Sequence, residues 1–151
     1  MRVWRLCRRG HARFDGEGAR RYGGRWNPPG TAVVYTSATL SLAALELFVR
    51  LDPEEEPDDL VAIPVEVPDS VRVTALELAG LPEDWRLIPP SEETRSLGAD
   101  WIGGLATALL SVPSAVIPQE RNYLVNPAHP DFAQVALAAP QPFTFDPRMW
   151  K

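Results

Sequence analysis

Residues 23–51 read GGRWNPPGTAVVYTSATLSLAALELFVRL, one stretch that passes from turn to strand to helix. Two glycines and a Pro-Pro-Gly bracket Arg25, Trp26 and Asn27. Glycine admits positive φ and close approach of backbone, and proline fixes φ, so this is turn chemistry. AVVYT at 32–36 follows as a short apolar, β-branched run with turn residues before it, which reads as a buried strand. Ser37 or Thr39 then offers a capping hydroxyl. Leu40, Ala44, Leu47, Phe48 and Leu51 recur at helical spacing on one face, and Asp52-Pro53 ends the helix.

Working outward, 3–6 reads as a first short strand. Residues 8–24 are rich in Arg and Gly with little apolar periodicity and predict a long irregular loop. Loops of that length are more often functional than not in compact domains. Downstream, DPEEEPDD (52–59) reads as a solvated acidic loop, and 60–67 and 71–76 as strands. Residues 82–93, rich in proline and acid, read as loop. A second helix is expected over 96–112, on Leu97, Trp101, Leu105, Ala108 and Leu109, although Gly98, Gly103 and Gly104 weaken it. Further short strands are expected at 115–117, 123–125, 135–138 and 143–145. Many short strands with two helices, not regularly alternating, predict an α+β fold.

At 151 residues and no visible internal boundary, the chain is expected to form a single domain over 1–151. It is 45% apolar and 23% charged, a globular composition. No run of 18 apolar residues is present, which excludes a transmembrane helix. The N-terminal MRVWRLCRRG has no apolar core ahead of a cleavage site, so a cytoplasmic address is expected. One cysteine excludes an internal disulfide, and with only His11 and His129 besides, no protein-held metal is expected.

The net charge of −5 is uneven. Residues 1–25 hold eight arginines against Asp15 and Glu17, a surplus of +6, and the remainder carries −11. A basic end on an acidic body fits an anion site, an acidic partner or a nucleic-acid contact. The strong acidity of the remainder and the lack of an aromatic-studded basic face weigh against nucleic acid.

Neither a P-loop nor a dinucleotide-binding GxGxxG after a strand is present. His129 lies between prolines in NPAHPD and reads as a turn residue. Cys7 is either structural or a thiol activated by Arg8 and Arg9. Glu46 is the only acid between 31 and 51 and sits within the apolar helix. It is either an exposed partner for Arg50 one turn on or a semi-buried functional carboxylate. Arg25, framed by glycines, is either a loop arginine satisfying carbonyls or an anion ligand. Tyr35 reads as core and Ser114 as a turn-capping hydroxyl.

Together these residues resemble the RES domain, the toxin of RES–Xre toxin–antitoxin systems. The resemblance lies in GGRWNPPGTAVVY (23–35), SATLSLAALELFVRL (37–51) and VPSAVIPQERNYLVNPAHPDF (112–132), with Arg25, Tyr35, Glu46 and Ser114 on the signature positions. It covers nearly the whole chain, and Arg50 departs from the His often found in relatives. The resemblance implies an ADP-ribosyltransferase-like fold, with short, mostly antiparallel strands in a split sheet and a few flanking helices. It also implies an enzyme that cleaves the nicotinamide–ribose bond of NAD, as hydrolase or phosphorylase, with NAD as substrate and no cofactor. Modification of a protein or nucleic acid by ADP-ribosyl transfer is the alternative.

On this resemblance Arg25 would bind a phosphate of NAD, and Tyr35 would stack on the nicotinamide or bond the ribose. Glu46 would stabilise the positive charge that develops as the glycosidic bond breaks. Ser114 would orient the carboxamide or a ribose hydroxyl, supported by Asn122, and Arg5 would give a second phosphate contact. An Xre-type helix-turn-helix antitoxin is the implied partner. A toxin homodimer within a larger complex fits the same resemblance.

Overall fold

The computed structural model describes residues 1–150. Eight strands form one sheet: β1 (Arg2–Arg8), β2 (Val34–Ser37), β3 (Leu60–Glu66), β4 (Val73–Ala75), β5 (Leu109–Pro113), β6 (Arg121–Val125), β7 (Ala136–Leu137) and β8 (Gln141–Phe143). Three α-helices, α1 (Glu17–Tyr22), α2 (Leu40–Phe48) and α3 (Glu92–Gly104), complete the framework with four short 3₁₀ turns. The strand order is β4-β5-β6-β2-β1-β3-β7, with β8 also paired to β3. Every pairing is antiparallel except β4 with β5.

The sheet is nearly divided in two. β1 and β3 stay in register from Arg2↔Glu66 to Arg8↔Leu60, whereas β1 meets β2 at the single pair Trp4↔Ser37. The expected mostly antiparallel α+β sheet is what forms, with the expected split reduced to this single-pair junction within one sheet.

Strand alternation sorts the residues onto two faces. Val3 and Cys7 pack with Val34, Ile63, Val65, Leu109 and Val125 on one, under Phe14 and Phe132, whose rings stack at 6.0 Å. On the other, Leu6 and Ala62 meet Ala43 of α2. Further along that face, Leu110, Val112 and Leu124 meet Trp26, Trp85, Trp101 and Ile102. The two longer helices therefore cover one face, and loops cover the other.

α2 begins as expected, with Thr39 rather than Ser37 as its cap: the Thr39 hydroxyl accepts from the Leu42 amide at 3.1 Å. Its predicted stripe, including Leu47, Phe48 and Leu51, packs against Phe143, Phe145 and Trp150. Leu42 and Ala43 are buried as well. Glu46, four residues after Leu42 and three after Ala43, shares their side of the helix.

Three local expectations are corrected. The 8–24 loop contains a 3₁₀ turn (Arg9–His11) and α1. Gly16 opens α1 at φ 74°, where an added Cβ would stand 2.6 Å from the Val33 amide nitrogen. The second helix runs earlier than 96–112. Ser91 caps it through the Thr94 amide, and it ends at Leu105 in the left-handed region, φ 53°. The apolar run Leu109–Val112 is instead the buried strand β5, an ambiguity that periodicity cannot resolve in a short hydrophobic segment. Finally, 115–117 forms no strand. The Ser114 hydroxyl accepts from the amides of Val116 (3.1 Å) and Ile117 (3.0 Å), turning the chain between β5 and β6.

Cys7 is buried, and burial pushes its thiol up from the ordinary value against an opposing pull from Arg5. The activating neighbours suggested by sequence are not the ones that act, since Arg8 turns to Asp59 at 2.9 Å. The folded protein is expected to leave Cys7 unreacted with a thiol reagent at pH 8 and to release about one equivalent on denaturation. Rapid titration of the folded protein would contradict its burial.

Candidate active site

Asn122 on β6 lies in register with Ser37 on β2, so their side chains stand side by side on the helix-covered face. The Ser37 hydroxyl donates to Asn122 Oδ1 at 2.7 Å. That leaves the Asn122 Nδ2 to donate to Glu46 Oε1, at 2.6 Å. Ser114, at the end of β5, donates its hydroxyl hydrogen to the same Oε1 at 2.7 Å. The Ser114 oxygen already accepts two backbone amides, so its hydrogen has to point outward to the carboxylate. Glu46 Oε1 thus receives two bonds, while Oε2 has no hydrogen-bond or ion-pair partner among the described residues.

Asn27 organises the other side. Fully buried, it donates through Nδ2 toward the carbonyls of Ala19 (3.0 Å), Pro28 (3.1 Å) and Thr31 (3.2 Å). Its Oδ1 accepts the Tyr35 hydroxyl at 2.6 Å, and the Trp26 amide donates to that hydroxyl at 3.1 Å. Burial pushes the Tyr35 phenol well above its usual value, against weaker pulls from the Trp26 amide and from Arg50, Arg25 and Arg95. The phenol stays neutral, with its oxygen committed to the protein. Gly24 is needed for this approach, because a Cβ there would stand 2.5 Å from the Tyr35 hydroxyl oxygen.

Arg25 donates through Nη1 to the carbonyls of Trp85 (2.8 Å) and Leu87 (2.9 Å), pinning the segment ahead of α3 to the glycine loop. Trp85 stacks on Trp26 at 6.2 Å in the same junction. Burial lowers the pKa of Arg25, while Glu46 and then Tyr35 raise it and Arg86 lowers it. Nε and Nη2 of Arg25 make no hydrogen bond among the described residues. Arg95 also touches the loop, donating through Nε to the Gly24 carbonyl at 3.3 Å.

The site residues named from the sequence divide as follows. Arg25, Tyr35, Glu46, Ser114 and Asn122 come together around one face. Arg5 does not: alternation along β1 puts it with Val3 and Cys7 on the opposite face from Trp4, Ser37 and Tyr35. There it reaches the His11 carbonyl at 3.2 Å. Its expected phosphate contact is withdrawn on that geometry. Ser114 is also recast. It is fully buried, and its hydroxyl is spent on Glu46 and two backbone amides, so this structure leaves it no bond for a substrate group. Glu46 does not form the side-chain pair with Arg50; Arg50 Nε donates to the Glu46 carbonyl at 3.1 Å. Ser37, Asn27 and Arg95 were missed. Only the Trp26-Asn27-Pro28 turn carried a hint, an amide side chain among three residues of turn chemistry.

Among the described residues, four of the eight arginines of the basic N-terminal segment pair with carboxylates. Arg20 and Arg21 pair with Glu17, whose carboxyl the Arg20 bond holds down at about 2. Arg2 pairs with Glu66, and Arg8 with Asp59. Among the described residues no three His, Cys, Asp or Glu side chains gather as a metal site would, and no helix is long and apolar enough to cross a membrane.

Known proteins share this arrangement of segments. The RES domain family model matches residues 2–146. The "Prs ADP-ribosylating toxin" of Sphingobium sp. is 40% identical over 139 residues, covering 90% of this chain and 86% of its own. "Toxin Res" of Yersinia enterocolitica is 35% identical over 153 residues and covers 99% of both chains. "Toxin Res" of Pseudomonas putida is 38% identical over 152 residues, covering 99% of this chain and 100% of its own. In fold, the chain is similar to one from the crystal structure of the Mycobacterium tuberculosis MbcT–MbcA toxin–antitoxin complex. The TM-score is 0.74 at 20% identity, over 99% of this chain and 86% of that one. With the family model spanning all but the chain's extremities and relatives matching end to end, the protein belongs to the RES domain family.

Proposed function

We propose that this chain is the toxin of a toxin–antitoxin pair and cleaves the nicotinamide–ribose bond of NAD. The observation that carries the reading is the Glu46 carboxylate, with Oε1 saturated by Ser114 and Asn122 and Oε2 left to a substrate. Such a carboxylate is suited to hold ribose hydroxyls and to stabilise an oxocarbenium-like sugar. Nicotinamide leaves as a neutral molecule from a cationic pyridinium, so the step requires no strong general acid. Arg25, with Nε and Nη2 uncommitted, binds a phosphate of NAD by charge-assisted hydrogen bonds. Tyr35 offers its ring for stacking, because its hydroxyl is held by Asn27. The partner on this reading is an antitoxin of the Xre helix-turn-helix type, in a complex that includes a toxin homodimer, and the site of action is the cytoplasm.

The test is nicotinamide release from NAD by the purified protein, with and without phosphate. Release that requires phosphate identifies a phosphorylase, and release in its absence a hydrolase. The relative named as an ADP-ribosylating toxin supports a second reading, transfer of ADP-ribose to a macromolecule. Nicotinamide release only when a target is added, with a matching gain in the target's intact mass, would replace the first reading with the second. No release under any of these conditions overturns both.

A further inference from the structure

Glu46 can serve substrate through one oxygen only if the groups on the other oxygen stay where they are. Ser114 is fixed by two backbone amides in its own turn. Asn122 is not fixed by itself: a primary amide rotates about χ2 with little preference, and it presents a carbonyl oxygen and an NH₂ of nearly equal size. With its oxygen turned to Glu46, two acceptors would face each other. We propose that Ser37 is a positioning residue for the Glu46 carboxylate: its hydroxyl hydrogen holds Asn122 Oδ1 and so keeps Asn122 Nδ2 on Glu46 Oε1.

The geometry is built into the sheet. Ser37 and Asn122 are register partners across the antiparallel β2–β6 pair, so the two side chains project together from one face. The bonds follow in sequence, Ser37 to Asn122 at 2.7 Å and Asn122 to Glu46 at 2.6 Å. Ser37 itself is buried and stands at the one pair, Trp4↔Ser37, that joins the two halves of the sheet. Its hydroxyl makes no other hydrogen bond among the described residues, and at 4% exposure it does not compete for solvent. A hydroxyl that merely satisfied itself in the core would act on stability alone, whereas this one sets the donor pattern on the carboxylate.

This inference rests on Glu46 being the carboxylate that serves NAD, so the test has one arm that reads turnover and one that does not. Ser37→Ala is expected to lower kcat for nicotinamide release about tenfold with KM changed less than about twofold, the loss of one oriented hydrogen bond felt chiefly in the transition state. Ser37→Thr, which restores the hydroxyl, should recover kcat to within about threefold of wild type. In the second arm the Asn122 side-chain amide protons, assigned through Asn122→Asp, are followed by NMR. Their two signals should be widely separated in wild type and in Ser37→Thr, and should draw together in Ser37→Ala. Wild-type kcat in Ser37→Ala, or an Asn122 amide pattern indifferent to Ser37, overturns the inference. A wild-type protein that releases no nicotinamide overturns the reading of Glu46 instead, and the amide signals still decide the role of Ser37.

Discussion

Glu46→Gln is expected to reduce nicotinamide release by about two to three orders of magnitude while leaving the fold unchanged. The substitution is unusually clean here, because both bonds to Glu46 arrive on one oxygen. A glutamine keeps a carbonyl oxygen for Ser114 and Asn122, and those two donors dictate which way its amide turns. The NH₂ then occupies the place of Oε2. A negative charge that faced the developing oxocarbenium becomes a neutral donor, and the hydrogen bonds to the protein survive. Removing one preorganised electrostatic contact from a transition state costs about a hundred- to a thousandfold in rate. Steady-state release assays and a thermal melt check the two halves of the statement. Full turnover in the mutant would remove Glu46 from the centre of the mechanism. A collapsed melting temperature would instead assign the carboxylate to the fold.

Gly98→Ala is the substitution expected to damage the fold most. The helix α3 crosses the glycine loop so closely that a Cβ on Gly98 would stand 1.8 Å from the Trp26 carbonyl oxygen and 2.8 Å from its carbon. Those are backbone atoms, and no side chain can rotate away. Either the helix shifts off the sheet or the loop moves, and the loop carries Arg25 and Asn27. Overpacking of this kind costs about 3 kcal/mol. In a chain of this size that lowers Tm by roughly 10 °C. Calorimetry would check it, and nicotinamide release should fall along with stability as Trp26 and Arg25 are displaced. A melting temperature within about 2 °C of wild type would mean that the contact yields more easily than its geometry states. Gly103, by contrast, has nothing within 4 Å of an added Cβ, and Gly103→Ala serves as the tolerant control on the same helix.

The contrast between these glycines shows where local reading ends. In the sequence all three glycines of α3 weaken a helix equally, by the entropy lost on ordering glycine. Only the crossing of helix and loop separates Gly98, which makes the packing possible, from Gly103 and Gly104 near the helix end. Arg5 illustrates the same limit. The family resemblance made Arg5, on the first strand, a candidate for a second phosphate contact. A side chain's face depends on alternation and on the neighbouring strand's register, and a register of Trp4 on Ser37 sends Arg5 away from Tyr35.

The sequence by itself determined what short-range forces govern. It placed β2 and α2 through an apolar run, a capping hydroxyl and helical spacing, and it placed the Arg25 turn through its glycines and prolines. It also marked Glu46 as the one acid within an apolar helix, and its motifs gave the family. Tertiary structure alone decided what Glu46 touches. Its two donors come from 68 and 76 residues away, and the Ser37 bond that orients one of them spans 85. Those partners meet because β5, β6 and β2 pair side by side in register while α2, packed beside them against β1 and β2, brings Glu46 to their edge, and register is fixed by the whole sheet rather than by any segment. The apolar run at 109–112 became strand rather than helix for the same reason, since a hydrophobic segment takes the form its neighbours can bury.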